Sequence, residues 1–151
     1  MTVGKSLTPN GADPFDLQRF VAAQDGVYSA VLAELRSGRK RSHWIWFVFP
    51  QLRGLGHSST ALRYGITSIE EARAYLAHQV LGPRLRQCAR LVRQIDGRSA
   101  RDIFGSPDDL KVRSSMTLFV HATDDNSDFR AVLDKLYDGT EDALTVERLA
   151  Q

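Results

Sequence analysis

The chain of 151 residues has one cysteine, Cys88, and therefore no partner for an internal disulfide. That is compatible with a reducing compartment. A lone cysteine cannot anchor a zinc site, and His43, His57, His78 and His121 are scattered without ligand spacing, so no metal and no cofactor is expected. Long apolar runs are missing too. The greasiest stretch, Trp44 to Phe49, is far too short to cross a bilayer. Residues 1–12 are small and polar, without an apolar segment of signal-peptide length. A cytoplasmic protein with no membrane association is the resulting expectation. Gly54 and Gly56 form a Gly-x-Gly with no following Gly-Lys-Ser/Thr, which excludes a P-loop, and no Gly-x-Ser-x-Gly, paired-cysteine motif or Asp-rich loop occurs. The net charge of +2 is too small to argue for nucleic acid. Arg86, Arg90 and Arg93 could track a phosphate backbone, but no recognition-helix, zinc-finger or aromatic RNA-binding signature accompanies them, and a solvated face is the stronger reading.

What is present is the composition of an ordinary globular domain, 42% apolar and 25% charged. Charge is unevenly spread. Up to His121 there are 17 Lys/Arg against 10 Asp/Glu, and from Ala122 onwards 3 against 8. Such asymmetry marks either an anion-binding surface or two parts that pack on each other, and the second reading has a slight edge. Almost every segment reads as helix. Asp13-Pro14 is a helix start, Gly26 breaks the first helix and Gly38 stops the second. Ser68 and Glu71 form a capping box. Leu81, Leu85, Cys88, Val92 and Ile95 make the clearest amphipathic stripe. Ser106-Pro107-Asp108-Asp109 launches a helix with a serine N-cap, Pro at N1 and acids at the positive end of the dipole. The expectation is a flexible segment over 1–12. A single all-α domain follows over 13–151, a compact bundle of about seven short helices around a central aromatic segment.

Function is best sought where Gly38-Arg39-Lys40-Arg41-Ser42-His43 abuts the run from Trp44 to Phe49. Burial of that run would draw Arg41 and His43 inward, where charge needs a counterpart. Arg39 and Arg41 beside aromatic faces suit a phosphate or a nucleobase. A solvated basic cluster at a helix C-terminus is the plainer alternative. His43 can move a proton near neutral pH or simply be hydrogen-bonded in a core. On the helix from Pro107, Lys111 and Ser115 are four apart on the flank of an apolar face, either a ligand-holding pair or a snorkelling lysine beside a packing serine. Arg113, Ser114, Thr117 and His121 form a polar stripe, read as a solvent face.

The segments Asp16-Leu17-Gln18-Arg19-Phe20, Gly38 to Trp44, Phe49-Pro50-Gln51, Gly54-Leu55-Gly56, Glu71 to Leu76, Leu81 to Leu85, Asp108 to Lys111 and Ser114 to Phe119 resemble a bacterial family catalogued as domain of unknown function 1810. The resemblance runs from about Asp13 to Leu149. It implies a single-domain, all-helical fold, and it implies no activity and no catalytic residues. Some members carry a calpastatin-like label, but this chain has none of the repeated amphipathic motifs of a long disordered protease inhibitor.

Three functions remain in view. The first is a binding domain for an anionic, nucleotide-like small molecule. Arg39, Arg41 and Lys111 would supply charge, Trp44 and Gln51 stacking and a polar contact, and His43 and Ser115 orientation. The second is a metal-independent hydrolase or N-glycosidase acting on a nucleotide derivative, with His43, Asp108 or Asp109 transferring the proton. The third is a protein–protein interaction module of undetermined oligomeric state.

Overall fold

A computed structural model of the protein describes residues 12–151. Apart from Ala12, the flexible segment expected over residues 1–12 lies outside the described residues. Ten helices follow in order: α1 Gln18–Asp25, α2 Tyr28–Arg36, α3 Ile45–Val48, α4 Ser59–Tyr64, α5 Ile69–Ala77, α6 Leu81–Arg93, α7 Ala100–Phe104, α8 Asp108–Ala122, α9 Ser127–Tyr137 and α10 Ala143–Leu149. The all-α architecture is as expected. The helix count exceeds seven because α3, α4 and α7 are separate pieces of four to six residues. Among the described residues the only strand-like pairing is an isolated parallel bridge between Leu52 and Ile66.

Helix starts follow local chemistry, with adjustments. Helix α1 starts at Gln18 with Leu17 in the capping position, a turn after the expected Asp13-Pro14 start, and the Asp13 carboxylate instead reaches forward to accept from the N–H of Leu17 and of Gln18 at 2.8 and 2.9 Å. Ser68 caps α5 through the N–H of Glu71. The return half of that box is missing. Glu71 turns instead to the N–H and hydroxyl of Thr67 and to Arg19. At α8 the capping position is Pro107, not Ser106. In α9, Ser127 is the first helical residue and Asn126 precedes it, without a side-chain cap.

Helix α8 contributes more buried residues than any other described helix. Nine of its fifteen residues are buried, including Ser114, Ser115 and Thr117. The polar stripe expected to face solvent is therefore partly covered. Thr117 Oγ1 donates to the Arg113 carbonyl and accepts from the N–H of Asp142, where the chain enters α10. Aromatic side chains link the layers edge to face or tilted, in the order Phe20, Tyr75, Phe119 and Phe129, with centroids 5.1 to 5.8 Å apart. Helices α5 and α6 approach so closely at Gly82 that a Cβ there would run into the Leu76 carbonyl. Cys88 lies in this interior, and burial pushes its thiol pKa up to about 12, so it is not a reactive thiolate.

The uneven charge distribution is resolved inside the molecule. Asp128 at the start of α9 is buried and faces Arg86, Arg90 and Arg93 of α6, with Arg90 Nη2 at 3.1 Å. Glu141 holds His121 at 2.6 Å and Arg130 at 3.0 Å. The acidic end thus packs on the basic body, and the α6 arginine stripe serves the α6–α9 contact.

Glu34 of α2 is the organiser of the segment entering α3. Its carboxylate accepts from the N–H groups of Arg41 and Ser42 at 2.6 and 2.9 Å, from the Ser42 hydroxyl, and from Trp44 Nε1 at 3.0 Å. Burial pushes its pKa up, but hydrogen bonds from Ser42, the Arg41 backbone and Trp44 outweigh it and hold the carboxyl at about 2. A depressed carboxylate contributes stability above its unfolded value of about 4.5, lost as pH falls through about 2. Removing this acceptor strands the buried Trp44 donor, so Glu34→Ala is expected to cost about 1–3 kcal/mol at neutral pH. Urea unfolding should also show the difference from wild type shrinking between pH 4.5 and 2. A pH-independent difference would contradict the assignment.

Candidate functional site

The chain between Gly38 and Trp44 is fixed by its backbone. Besides the bonds to Glu34, the Lys40 N–H donates to the Ile103 carbonyl at 2.7 Å. Burial alternates from Gly38 to Arg41, as in an extended chain, and Ser42 and His43 are both exposed. Arg39 and Arg41 are exposed, while the Lys40 side chain, only 7% exposed, turns inward. The expected inward pull thus acts on a cation outside the predicted set. The counterpart is protein: Lys40 Nζ lies 2.9 Å from Asp108 Oδ2 and 5.3 Å from the Trp44 ring centre.

Trp44 is 1% exposed and its indole N–H is spent on Glu34, so it cannot stack on a ligand. Two residues on, about 200° around a helix, Trp46 is half-buried and reaches the surface. There it forms one wall of a cleft of about 440 Å³. Lys111 of α8 lies over it, with Nζ 4.9 Å from the ring centre and 3.3 Å from Asp108 Oδ1. Asp108 is therefore shared by two lysines, of which only Lys111 lines the cleft, where the Asp142 carboxylate lies as well.

The other walls come from the loop after α3, the start of α4, α8 and the start of α10. Gln51, Gly56, His57 and Ser58 supply polar atoms, and Leu55, Ala61 and Pro107 apolar surface. Leu110 and Leu144, 54% and 57% exposed, also line the cleft. Its polar floor includes Ser114, whose hydroxyl donates to the Leu110 carbonyl at 3.1 Å, and Asp142, the N-cap of α10. The bridge at Leu52 and Ile66 holds the loop in place, with Ile66 N–H donating to the Gln51 carbonyl at 2.9 Å. The loop carrying Gly54 and Gly56 is thus tied down at its start.

Of the residues nominated from sequence, Lys111 and Gln51 line the cleft together. Arg39, Arg41 and His43 are exposed and do not line it; Lys40, between the two arginines, is the cation of that segment that the fold takes inward. Trp44 and Ser115 are buried outright, and the Ser115 hydroxyl has no hydrogen-bond partner among the described residues. Ser114, one position earlier, is the serine that reaches the cleft beside Lys111. Of the proton-transfer candidates, Asp108 is occupied by Lys40 and Lys111, and Asp109 and His43 lie outside the cleft wall. The histidine on that wall is His57. Trp46, Lys40, His57 and Ser114 escaped the sequence reading. Only the alternation Arg39 out, Lys40 in, Arg41 out was open to detection, had the segment been read as extended. Among the described residues no group of His, Cys, Asp and Glu is disposed to hold a metal, and no helix is long and apolar enough to cross a membrane.

The shared carboxylate makes Lys40 and Lys111 unequal. Asp108→Asn leaves the nearly buried Lys40 ammonium unpaired and should cost about 3 kcal/mol. Lys40→Met removes the buried charge and keeps the stem, so chemical denaturation should show it costing less than Asp108→Asn. The reverse order would mean that Asp108 serves α8 only as a helix-start acid.

The geometry can be set beside known proteins. The chain is similar to the conserved hypothetical protein Rv1873 from Mycobacterium tuberculosis, whose crystal structure at 1.38 Å superposes with a TM-score of 0.91. The identity is 65%, over 92% of this chain and 99% of that one. No curated protein matches. The model of a family described as protein of unknown function, DUF1810, matches residues 14–149, from the first turn before α1 to the last residue of α10, and the chain belongs to that family.

Proposed function

We propose that the cleft between α3, α4, α8 and α10 binds a small molecule with a flat ring and one anionic group, a nucleoside monophosphate being the simplest example. The observation that carries this reading is the Lys111 ammonium poised over the half-buried Trp46 ring, tethered to a carboxylate already shared with Lys40. Two carboxylates, Asp108 beside the lysines and Asp142 on the floor, balance the two ammoniums, so it is the partly exposed Lys111 ammonium itself and not a net positive field that a ligand anion would meet. An ammonium at a partly desolvated indole is also stabilised by the ring's negative face and remains a donor to an anion.

The volume supports the same reading. About 440 Å³ falls in the range of small-molecule sites. The mixed lining, Trp46, Leu55, Leu110 and Leu144 with Gln51, His57 and Ser114, fits a ring clasped by apolar groups and oriented by a few polar ones. Gln51 has both amide donor and carbonyl acceptor, so it can read the edge of a heterocycle. The role first sought in Arg39 and Arg41 passes to Lys111, and the stacking sought in Trp44 passes to Trp46.

Thermal-shift and calorimetric titration with adenosine and guanosine monophosphates against the free nucleosides tests this directly. The monophosphates should bind and the nucleosides bind more weakly. Lys111→Gln should weaken the monophosphates about tenfold or more, the worth of a charge-assisted hydrogen bond, and Trp46→Leu by a similar factor through lost stacking. No binding, or binding indifferent to both substitutions, would remove the reading.

A further inference from the structure

We propose a second ligand site, separate from the cleft: a polar cavity of about 350 Å³ between the turn before α1, the end of α4 and the Leu52–Ile66 bridge, built to take the phosphate group of a small phosphorylated molecule. Arg19 is its structural base. Its Nε donates to the Arg63 carbonyl at 2.8 Å. Its Nη1 donates to the carbonyls of Phe15 and Asp16, and its Nη2 to the Gly65 carbonyl and to Glu71 at 3.1 and 3.0 Å. A guanidinium has five N–H donors, and all five are used. Glu71, 1% exposed, is equally occupied, with Oε1 accepting from the Thr67 N–H and hydroxyl and Oε2 from Arg19. This buried pair cancels in charge and has no capacity left for a ligand. Its effect is to lock three chain segments around the cavity.

Two other arginines line the same cavity and are not consumed. Arg53 and Arg63 are exposed, and among the described residues neither forms an ion pair. Both are carried on fixed backbone. The Arg53 N–H donates to the Ile66 carbonyl at 2.8 Å, and the Arg63 carbonyl is held by Arg19. Arg63 leans on Tyr64, with Nε 3.3 Å from the phenol oxygen, which leaves both its Nη groups free. Asp16 also lines the cavity and opposes an anion. With Arg19 and Glu71 cancelling, two guanidiniums against one carboxylate leave a net positive charge. Arginine forks match phosphate oxygens in pairs. At about 30 Å³ per water, the space exceeds what a free phosphate needs, and Phe15, Pro14 and Leu62 offer an apolar wall for the organic part.

Calorimetric titration of the full chain with inorganic phosphate and with ribose 5-phosphate tests the site. Saturable binding is expected for both, tighter for the ester. Arg53→Gln and Arg63→Gln should each weaken it about tenfold, the loss of a charge-assisted contact. Circular dichroism should be unchanged, since Arg19 and Glu71 are untouched. Lys111→Gln should leave it intact, which separates this site from the cleft. Equal affinity for the two probes would make the seat one for free phosphate and still support it. Absence of saturable binding, binding that survives both arginine substitutions, or binding that follows Lys111 would each overturn it.

Discussion

An ammonium pressed against the edge of an aromatic core needs a counter-charge, and Asp108 supplies it to two lysines at once. Lys40 reaches it from the segment entering α3 and Lys111 from the next turn of α8. Each ammonium also faces an indole, Lys40 over Trp44 and Lys111 over Trp46. The contact ties the basic segment, the aromatic helix and α8 together. It also holds the Lys111 ammonium at a surface opening that Asp142 lines as well. Core packing and the lining of the cleft therefore share a single feature.

Glu34 does for the backbone what Asp108 does for the side chains. By gathering the Arg41 and Ser42 N–H groups and the Trp44 indole, it sets which way the cationic segment faces. With the chain pinned there, Arg39 and Arg41 have no inward route, and Trp44 has no free edge to offer. Trp46 is left as the aromatic surface beside Lys111. The site follows from where the backbone donors are satisfied more than from the density of charge along the sequence.

The residues show which parts of this were legible. Helical periods and caps were local, so α6 and its stripe Leu81, Leu85, Cys88 and Val92 could be read directly. Lys111 stood out because it sits on the flank of an apolar helix face, where an ammonium must reach for the surface or for a counter-charge. Gln51 stood out because it ends the aromatic run. The choice of Trp44 over Trp46 failed because a run that is apolar all round has no period to orient it. On a one-sided helix Ser115 shares the flank of Lys111 and Ser114 faces solvent, whereas α8 is covered on most sides and it is Ser114 that reaches the cleft. The carboxylate partners were the least visible. Glu34 acts across a turn, Asp108 and Lys40 meet from segments distant in sequence, and Asp128 collects arginines from another helix. Pairings of that kind depend on tertiary geometry, and spacing does not encode them.

The most direct measurement is a nuclear magnetic resonance titration of the two indole N–H signals with adenosine monophosphate. They are assigned by Trp44→Phe and Trp46→Phe, or from backbone connectivities where the buried variant fails to fold. The Trp46 signal should move and saturate, its midpoint in Lys111→Gln should lie at nucleotide concentrations about tenfold higher or more, and the Trp44 signal, held by Glu34, should not follow. Movement of Trp44 with Trp46 unchanged, or stillness of both at saturating nucleotide, would contradict the proposed site.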